Sequence, residues 1–331
     1  MPDSFKALLL TERDGQVQAA IETLPRDALP PGDVLVAVEY SGLNYKDGLA
    51  VLGKNKVVRS YPMVPGIDFA GTVAESQSSE LAPGDRVVLT GWGVGEQHWG
   101  GFAQLARVKS GWLVKIPDAL STRDAMAIGT AGFTAMLCAQ ALEDHGLTPG
   151  AGGDVLVTGA SGGVGSMAVA LLARLGYSVA AATGRSEEHD YLRSLGAGSI
   201  IARDELAAPA SPMGSARWTG AVDTVGGDTL AGVIRTLAPN ASVATCGNAG
   251  GFALNTSVLP FILRGVNLLG INSLPVPAEK RRKAWARIAE ILPQEDIRRT
   301  MSMYALAEVP DLARQILDAR VRGHIVIDVN A

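Results

Sequence analysis

The chain is poor in residues that hold metals and disulfides: its 331 residues include two cysteines and four histidines. Two cysteines cannot build a four-cysteine zinc lobe or a disulfide framework, and His98, His145, His189 and His324 are scattered, not spaced as a ligand set. Cys138 falls in a helical stretch and Cys246 ends an apolar strand, the pattern of buried free thiols in a reducing compartment. A basic excess is missing too. The formal net charge of -4 leaves no electrostatic footprint for nucleic acid. Apolar runs are short and interrupted by Gly, Arg or Pro, so no membrane span is expected. The opening MPDSFKALLLTERDG has neither an apolar signal core nor an Arg-rich transit pattern, which points to the cytoplasm.

What the chain does have is apolar volume, with 47% hydrophobic and 19% charged residues, enough for a sizeable core in two domains. The stretch VLVTGASGGVGSMAVALLARLG carries the strongest signal. Val155, Leu156 and Val157 read as a buried strand; Val164, Ala168, Leu171, Leu172 and Leu175 then recur at helical spacing, with Gly176 as the stop. Between them, Gly162 lets backbone approach a pyrophosphate, Gly165 lets the helix pack close on the strand, and free N–H groups at the helix start attract phosphate. The pattern is A-x-G-x-x-G, with Ala160 in the first glycine position and an extra Gly159 before it. Set between a strand and a helix, it reads as a dinucleotide pocket.

The first 120 or so residues are strand-like, with runs at Ala7 to Leu10, Val34 to Val38, Phe69 to Ala74 and Arg86 to Thr90. From Ala125 to Leu142 the period becomes helical, and strands then alternate with helices. The later strands are expected at Val179 to Thr183, Ser199 to Ala202, Ala221 to Val225, Ser242 to Cys246 and Asn267 to Ile271. With the first strand they make six, joined by helical crossovers: an α/β, doubly wound parallel sheet. Helices are expected at Ala278 to Leu292 and Pro310 to Val321, then a last strand, His324 to Val329, with a flexible loop at Ala207 to Gly214. The expected division is 1–124, 125–272 and a C-terminal return, 273–331, to the first domain.

The second strand of that sheet ends in Thr183-Gly184-Arg185-Ser186, where an NAD site carries an acid for the ribose diol. No acid is there. Arg185, with Thr183 and with Arg203 after the third strand, can instead neutralise a 2′-phosphate, which favours NADPH.

The motifs YSGLNYKDGLA (40–50), VPGIDFAGTV (64–73), PGDRV (83–87), GTAGFTAM (129–136), TGASGGVG (158–165) and PFILRGVNLLGINS (260–273) together resemble the zinc-independent quinone oxidoreductase branch of the medium-chain dehydrogenase/reductases, and within it the acrylyl-CoA reductases. The resemblance spans nearly the whole chain. It implies a GroES-like β domain plus a Rossmann domain, with the active site in the cleft between them. Zinc relatives hold their catalytic metal with Cys, His and Cys, and the matching positions here are Asn44, Ile67 and Thr130, so no metal is expected.

Without a Lewis acid, conjugate reduction is the chemistry that remains: hydride from the nicotinamide to the β-carbon of an activated alkene, and a proton to the α-carbon. The resemblance implies acryloyl-CoA as substrate and propanoyl-CoA as product. Tyr45 is the first candidate donor, since a phenol can hydrogen-bond and transfer a proton, or it stacks on the nicotinamide and holds the cofactor. Asn44 is the second, as an orienting amide. Asp47 and Asp68 are alternatives as acids, although Asp68 matches a structural glutamate of zinc relatives. Ser161, Gly162, Gly163 and Val164 are carried over to the pyrophosphate; Thr130, Gly184, Asn248, Ser273 and Arg322 complete the expected cofactor set.

For the CoA moiety, Lys280-Arg281-Arg282-Lys283 is either a contact or a solvated helix face. Trp92, His98 and Trp99 are candidate pocket-lining residues or simply core. Two other readings stay open: a quinone reductase on the same fold, and an NADPH-binding protein without turnover. In this superfamily the sixth strand pairs across a two-fold axis, so a homodimer is expected.

Overall fold

Residues 3–150, 152–207 and 211–331 are described by the structure, a computed structural model. Asp14-Gly15, both at positive φ (53° and 74°), form a tight turn of the kind that matches strand twist. It joins Ser4–Arg13 to Gln16–Pro25 in an antiparallel hairpin. The second of these strands is mostly exposed, so it carries little of the apolar alternation by which a strand is read from sequence.

The chain divides into two compact units, Met1–Ala131 with Leu274–Ala289 and Thr300–Ala331, and Gly132–Ser273 with Glu290–Arg299. In the first, a seven-stranded sheet runs Met301–Ala305, His324–Asp328, Val34–Leu43, Asp68–Ser76, Arg86–Thr90, Leu113–Lys115, with Leu105–Val108 also paired to Val34–Leu43. Its pairings are antiparallel except the one between Met301–Ala305 and His324–Asp328. Val36, Val38, Phe69, Val87, Leu89, Phe102, Ile325 and Ile327 fill its core.

The second unit holds the six-stranded, all-parallel sheet, ordered Ser199–Ala202, Ser178–Thr183, Asp154–Val157, Trp218–Asp223, Ser242–Thr245, Asn267–Gly270. This is the doubly wound order, reversing direction at Asp154–Val157. Leu156, Ala180, Ile201, Ala221, Val233, Ile234 and Val243 pack in its core. The strand expected to reach Val225 stops at Asp223, because the Asp223 carboxylate takes the N–H groups of Val225 (3.3 Å) and Gly226 (3.0 Å) and turns the chain.

The long helix is Thr122–Asp144, starting three residues ahead of Ala125. Ser121 and Asp124 cap it reciprocally: Asp124 N–H donates to Ser121 Oγ (3.0 Å) and Ser121 N–H to Asp124 Oδ2 (3.2 Å). Its length and composition would suit a membrane span, but 83% of its most apolar window is buried inside the protein, so it is a core helix. At Gly129 (φ 49°, ψ -156°) the helix breaks. The last helix, Val309–Leu317, ends earlier than the expected Val321, with Ala319 in the left-handed region (φ 55°). Of the expected loop 207–214, residues 208–210 lie outside the described residues.

Candidate functional site

The candidate nucleotide site is built at the carboxyl ends of the parallel strands. Asp154–Val157 leads through Gly159 (φ 58°) to Gly162, the N-cap of the helix Gly163–Arg174. A Cβ at Gly165 would lie 2.2 Å from Gly159 O, so only glycine lets the helix sit this close to the strand. At Gly162 the nearest atom to an added Cβ is 3.4 Å away; that glycine leaves open space beside the helix start. Ala160, fully buried, occupies the first position of the motif, donating its N–H to Ala182 O at 3.1 Å. The helix's first turn carries no acidic side chain, so its free N–H groups face any anion unopposed.

Residues far apart in sequence meet at the end of Ser178–Thr183. Arg185 Nη2 donates to Ser161 Oγ at 2.8 Å, Arg185 N–H to Thr183 Oγ1 at 3.1 Å, and the two hydroxyls of Ser161 and Thr183 are 3.4 Å apart. The Arg203 guanidinium closes over Gly184, its Cζ 3.1 Å from where a Cβ would stand. Two guanidiniums therefore border one strand end. Glu188, buried and 3.7 Å from Arg185 Nη1, steadies the first of them; nothing in the strand-helix pattern singled it out. Asn248, exposed, and Ser273, half-buried, follow the carboxyl ends of the neighbouring strands Ser242–Thr245 and Asn267–Gly270. Ser161, Gly162, Gly163, Val164, Thr183, Gly184, Arg185, Arg203, Asn248 and Ser273 thus all sit at or just beyond the same end of one sheet, where doubly wound folds bind their ligands.

The remaining candidates belong to the first unit. Asn44 caps the short helix Tyr45–Val51, and Tyr45 lies at its start, 41% exposed, its hydroxyl in no hydrogen bond among the described residues. Asn44 links two fully buried carboxylates: its N–H donates to Asp47 Oδ2 (2.9 Å) and its Nδ2 to Asp68 Oδ1 (3.1 Å). Asp47 Oδ1 also accepts from Gly66 N–H (3.1 Å) and Ile67 N–H (2.9 Å). Burial, reinforced by the Asp68 charge, pushes the Asp47 carboxyl up to about 7.

Asp68 accepts from Gly42 N–H (3.1 Å) and from Thr130 N–H (2.7 Å). The Thr130 bond exists because the helix breaks at Gly129, which frees that N–H from the helical ladder. The same break brings Ala127 O within 3.1 Å of His324 Nδ1. A Cβ at Gly129 would stand 2.6 Å from the His324 ring and 3.1 Å from Asp68 Oδ2, so the break, the buried histidine and the carboxylate are packed as one unit. Sequence reasoning gave His324 no role and placed no break at Gly129. Arg322, exposed, lies two residues ahead of His324.

Zinc does not fit the first unit. Ile67 is apolar and buried, the Asn44 amide is engaged by Asp68, and no group of three His, Cys, Asp or Glu is placed to hold a metal among the described residues. The basic run at 280–283 divides: Lys280, Arg282 and Lys283 are exposed, whereas Arg281 is buried. Its Nη1 donates to Thr90 O (2.8 Å) and Thr90 Oγ1 (2.5 Å), its guanidinium lies 5.2 Å over Trp92, and burial lowers it to about 10. Arg281 is thus an anchor of its helix, not a solvated charge. Trp92 stacks on Trp112 (6.3 Å between ring centres), and His98 Nε2 donates to Arg107 O at 2.8 Å while its ring meets Trp112 edge-on. Trp99 Nε1 donates to Pro62 O at 3.2 Å.

With this geometry in place, the likenesses to known proteins become informative. Residues 30–118 match the alcohol dehydrogenase GroES-like domain family, and residues 163–290 the zinc-binding dehydrogenase family. The acrylyl-CoA reductase AcuI of Ruegeria pomeroyi is 55% identical over 99% of this chain and 100% of its own length. The yhdH oxidoreductase of Salmonella enterica, solved in complex with NADP, superposes with a TM-score of 0.95 at 52% identity, covering 98% of this chain and 99% of that one. Bacillus subtilis yhfP, solved with NAD bound, also gives 0.95, at 41% identity over 99% and 100%.

Proposed function

This chain belongs to the medium-chain dehydrogenase/reductase family, with its GroES-like and zinc-binding dehydrogenase domains, and from that membership we propose that it is an NADPH-dependent acrylyl-CoA reductase working without metal. The reaction adds a hydride to the β-carbon and a proton to the α-carbon of acryloyl-CoA, giving propanoyl-CoA. The observation that carries the substrate is the 55% identity, end to end, with a protein described as an acrylyl-CoA reductase.

NADPH supplies the hydride. The N–H groups of Ser161, Gly163 and Val164 at the helix start are suited to its pyrophosphate, and Gly162, whose own N–H is taken by Gly159 O (3.0 Å), leaves the open space beside them. Arg185 and Arg203, with Thr183, suit the 2′-phosphate: two guanidiniums border the strand end where an NAD site would carry an acid. Asn248 and Ser273 would flank the nicotinamide end. Thr130 and Arg322 remain assigned to the cofactor by resemblance.

Tyr45 Oη acts as the donor to the thioester oxygen as negative charge builds there, and it holds the proton destined for the α-carbon. Its exposed, unengaged hydroxyl supports that role. Asn44, held on both sides by Asp47 and Asp68, orients the region without moving a proton. Asp47 and Asp68 are read as support, because each is fully buried and occupied by backbone donors.

A cytoplasmic homodimer completes the reading. Among the described residues, strand Asn267–Gly270 is paired on one side only, and Val258, Ile262, Leu263 and Leu268 around it are exposed by 67%, 68%, 66% and 38%. An unpaired edge beside such a patch suits a second copy across a two-fold axis. The test of the chemistry is isotopic: NADPH deuterated at the transferring position should place its label on the β-carbon of propanoyl-CoA, and heavy water should label the α-carbon. Label at the α-carbon from NADPH would overturn the assignment.

A further inference from the structure

Of the four histidines, only His324 is buried. It opens the last strand, His324–Asp328, where its N–H donates to Thr300 O at 2.7 Å. An imidazole shut away from water needs an acceptor for its N–H. Nδ1 has one: it lies 3.1 Å from Ala127 O, and a carbonyl oxygen only accepts, so Nδ1 carries the proton and donates it. Nε2 has no hydrogen-bond partner among the described residues. Two glycines make room for the ring. A Cβ at Gly42 would stand 2.9 Å from His324 Nε2 and 2.5 Å from Asp68 Oδ1, and one at Gly129 would stand 2.6 Å from His324 Cε1 and 3.1 Å from Asp68 Oδ2. The strand Val34–Leu43 and the broken helix thus each carry a glycine where the imidazole and the Asp68 carboxylate lie side by side.

We propose that His324 is a positioning residue: its Nδ1 bond fixes the helix break at Gly129, and through the break and Asp68 it fixes where Tyr45 stands. The contacts run without a gap. Ala127 O lies on one side of Gly129 and the Thr130 N–H on the other. With Ala127 O held by the imidazole, the Thr130 N–H is aimed out of the helix at Asp68 Oδ2, 2.7 Å away, a charge-assisted bond at the short end of the range. The other oxygen of that carboxylate accepts from Asn44 Nδ2 at 3.1 Å, and Asn44 is the N-cap of the helix that Tyr45 begins.

Without the imidazole donor, nothing holds Ala127 O to the last strand, and the break is free to relax toward helical geometry. That draws the Thr130 N–H away from Asp68. A buried carboxylate that loses a donor is costly, so the Asn44 amide shifts to compensate, and Tyr45, the next residue, shifts with it. A displacement of about 1 Å in a reacting group can cost on the order of 100-fold in rate. The role rests on Tyr45 being the proton donor, and the test separates the two.

Asparagine places an amide N–H where Nδ1 stands, whereas glutamine places one where Nε2 stands. His324→Asn should therefore keep kcat near that of the wild type, while His324→Gln and His324→Leu should lower it about 10- to 100-fold with far-ultraviolet circular dichroism unchanged. In a Tyr45→Phe background neither Gln nor Leu should lower kcat further, because a residue that acts by placing the hydroxyl has nothing left to place. The amide proton resonance of Thr130, measured on the full-length protein without substrate, reads the break itself. It should lie downfield in the wild type and in His324→Asn, and move upfield in His324→Gln and His324→Leu. Glutamine as active as asparagine, leucine as active as the wild type, a loss that adds in full to that of Tyr45→Phe, or a Thr130 resonance indifferent to the substitution would each overturn the proposal. Should His324→Leu fail to fold, the asparagine and glutamine variants decide. Normal turnover by Tyr45→Phe alone would instead overturn the donor assignment, and the Thr130 resonance would still decide whether His324 holds the break.

Discussion

Asp47 and Asp68 lie fully buried on either side of Asn44, one bonded to its backbone N–H and the other to its side-chain amide. Asp47 carries the titration consequence. Its carboxyl is held at about 7 in the fold, against 3.8 for an ordinary aspartate. Between those values the folded chain keeps a proton that the unfolded chain has lost. Stability from this group is therefore full below about pH 4 and is lost as pH rises through about 7. Asp47→Asn lacks that slope but also loses an acceptor for the Asn44 N–H or for Gly66 and Ile67. Its melting temperature should fall below that of the wild type, with a wider gap at about pH 5 than at about pH 8. Thermal melts across pH check this; a gap that widens toward alkaline pH would contradict it.

Arg185→Ala removes a guanidinium that is held between Ser161 and Glu188. A charge-assisted bond to a 2′-phosphate contributes about 1.5–3 kcal/mol, so KM for NADPH should rise roughly 10- to 150-fold while KM for NADH changes little. Steady-state kinetics with both cofactors decide it, and equal effects would remove the 2′-phosphate assignment.

Tyr45→Phe keeps the ring and removes the hydroxyl. If the phenol is the donor, kcat should drop by about 100-fold or more while NADPH binding stays as it was. Near-normal turnover would leave Tyr45 as a stacking residue and nothing else.

Much of the second unit could be read directly from sequence because its determinants are local. Val155 to Val157 are apolar on both faces and bounded by glycines, and the parallel strands start and end within a few residues of expectation. The first unit was less legible. Leu105–Val108, Leu113–Lys115 and Met301–Ala305 are short, and Gln16–Pro25 is largely exposed, so periodicity marks them weakly, although Asp14-Gly15 is a hairpin signal. The Gly129 break has a long-range cause. Its reason is the meeting of Asp68 and His324, 256 residues apart (324 minus 68), and no local pattern contains that. Likewise the departure at Thr183 to Arg185 pointed to a phosphate, while the ties of Arg185 to Ser161 and Glu188 needed the fold.

The edge of Asn267–Gly270 and its apolar surroundings give a solution test. The wild type should sediment at twice the chain mass at micromolar concentration. Ile262→Asp, which places a charge on a 68% exposed apolar position, should shift it toward the monomer with its far-ultraviolet circular dichroism unchanged. A wild type that sediments as a single chain would contradict the dimer.

The central claim is tested most directly by NADPH consumption with acryloyl-CoA, crotonyl-CoA and a simple quinone in parallel, with and without a chelator. Chelator-resistant turnover of acryloyl-CoA, with kcat/KM well above that for the quinone, is the predicted result. Turnover of the quinone alone, or none with any of the three, would contradict it.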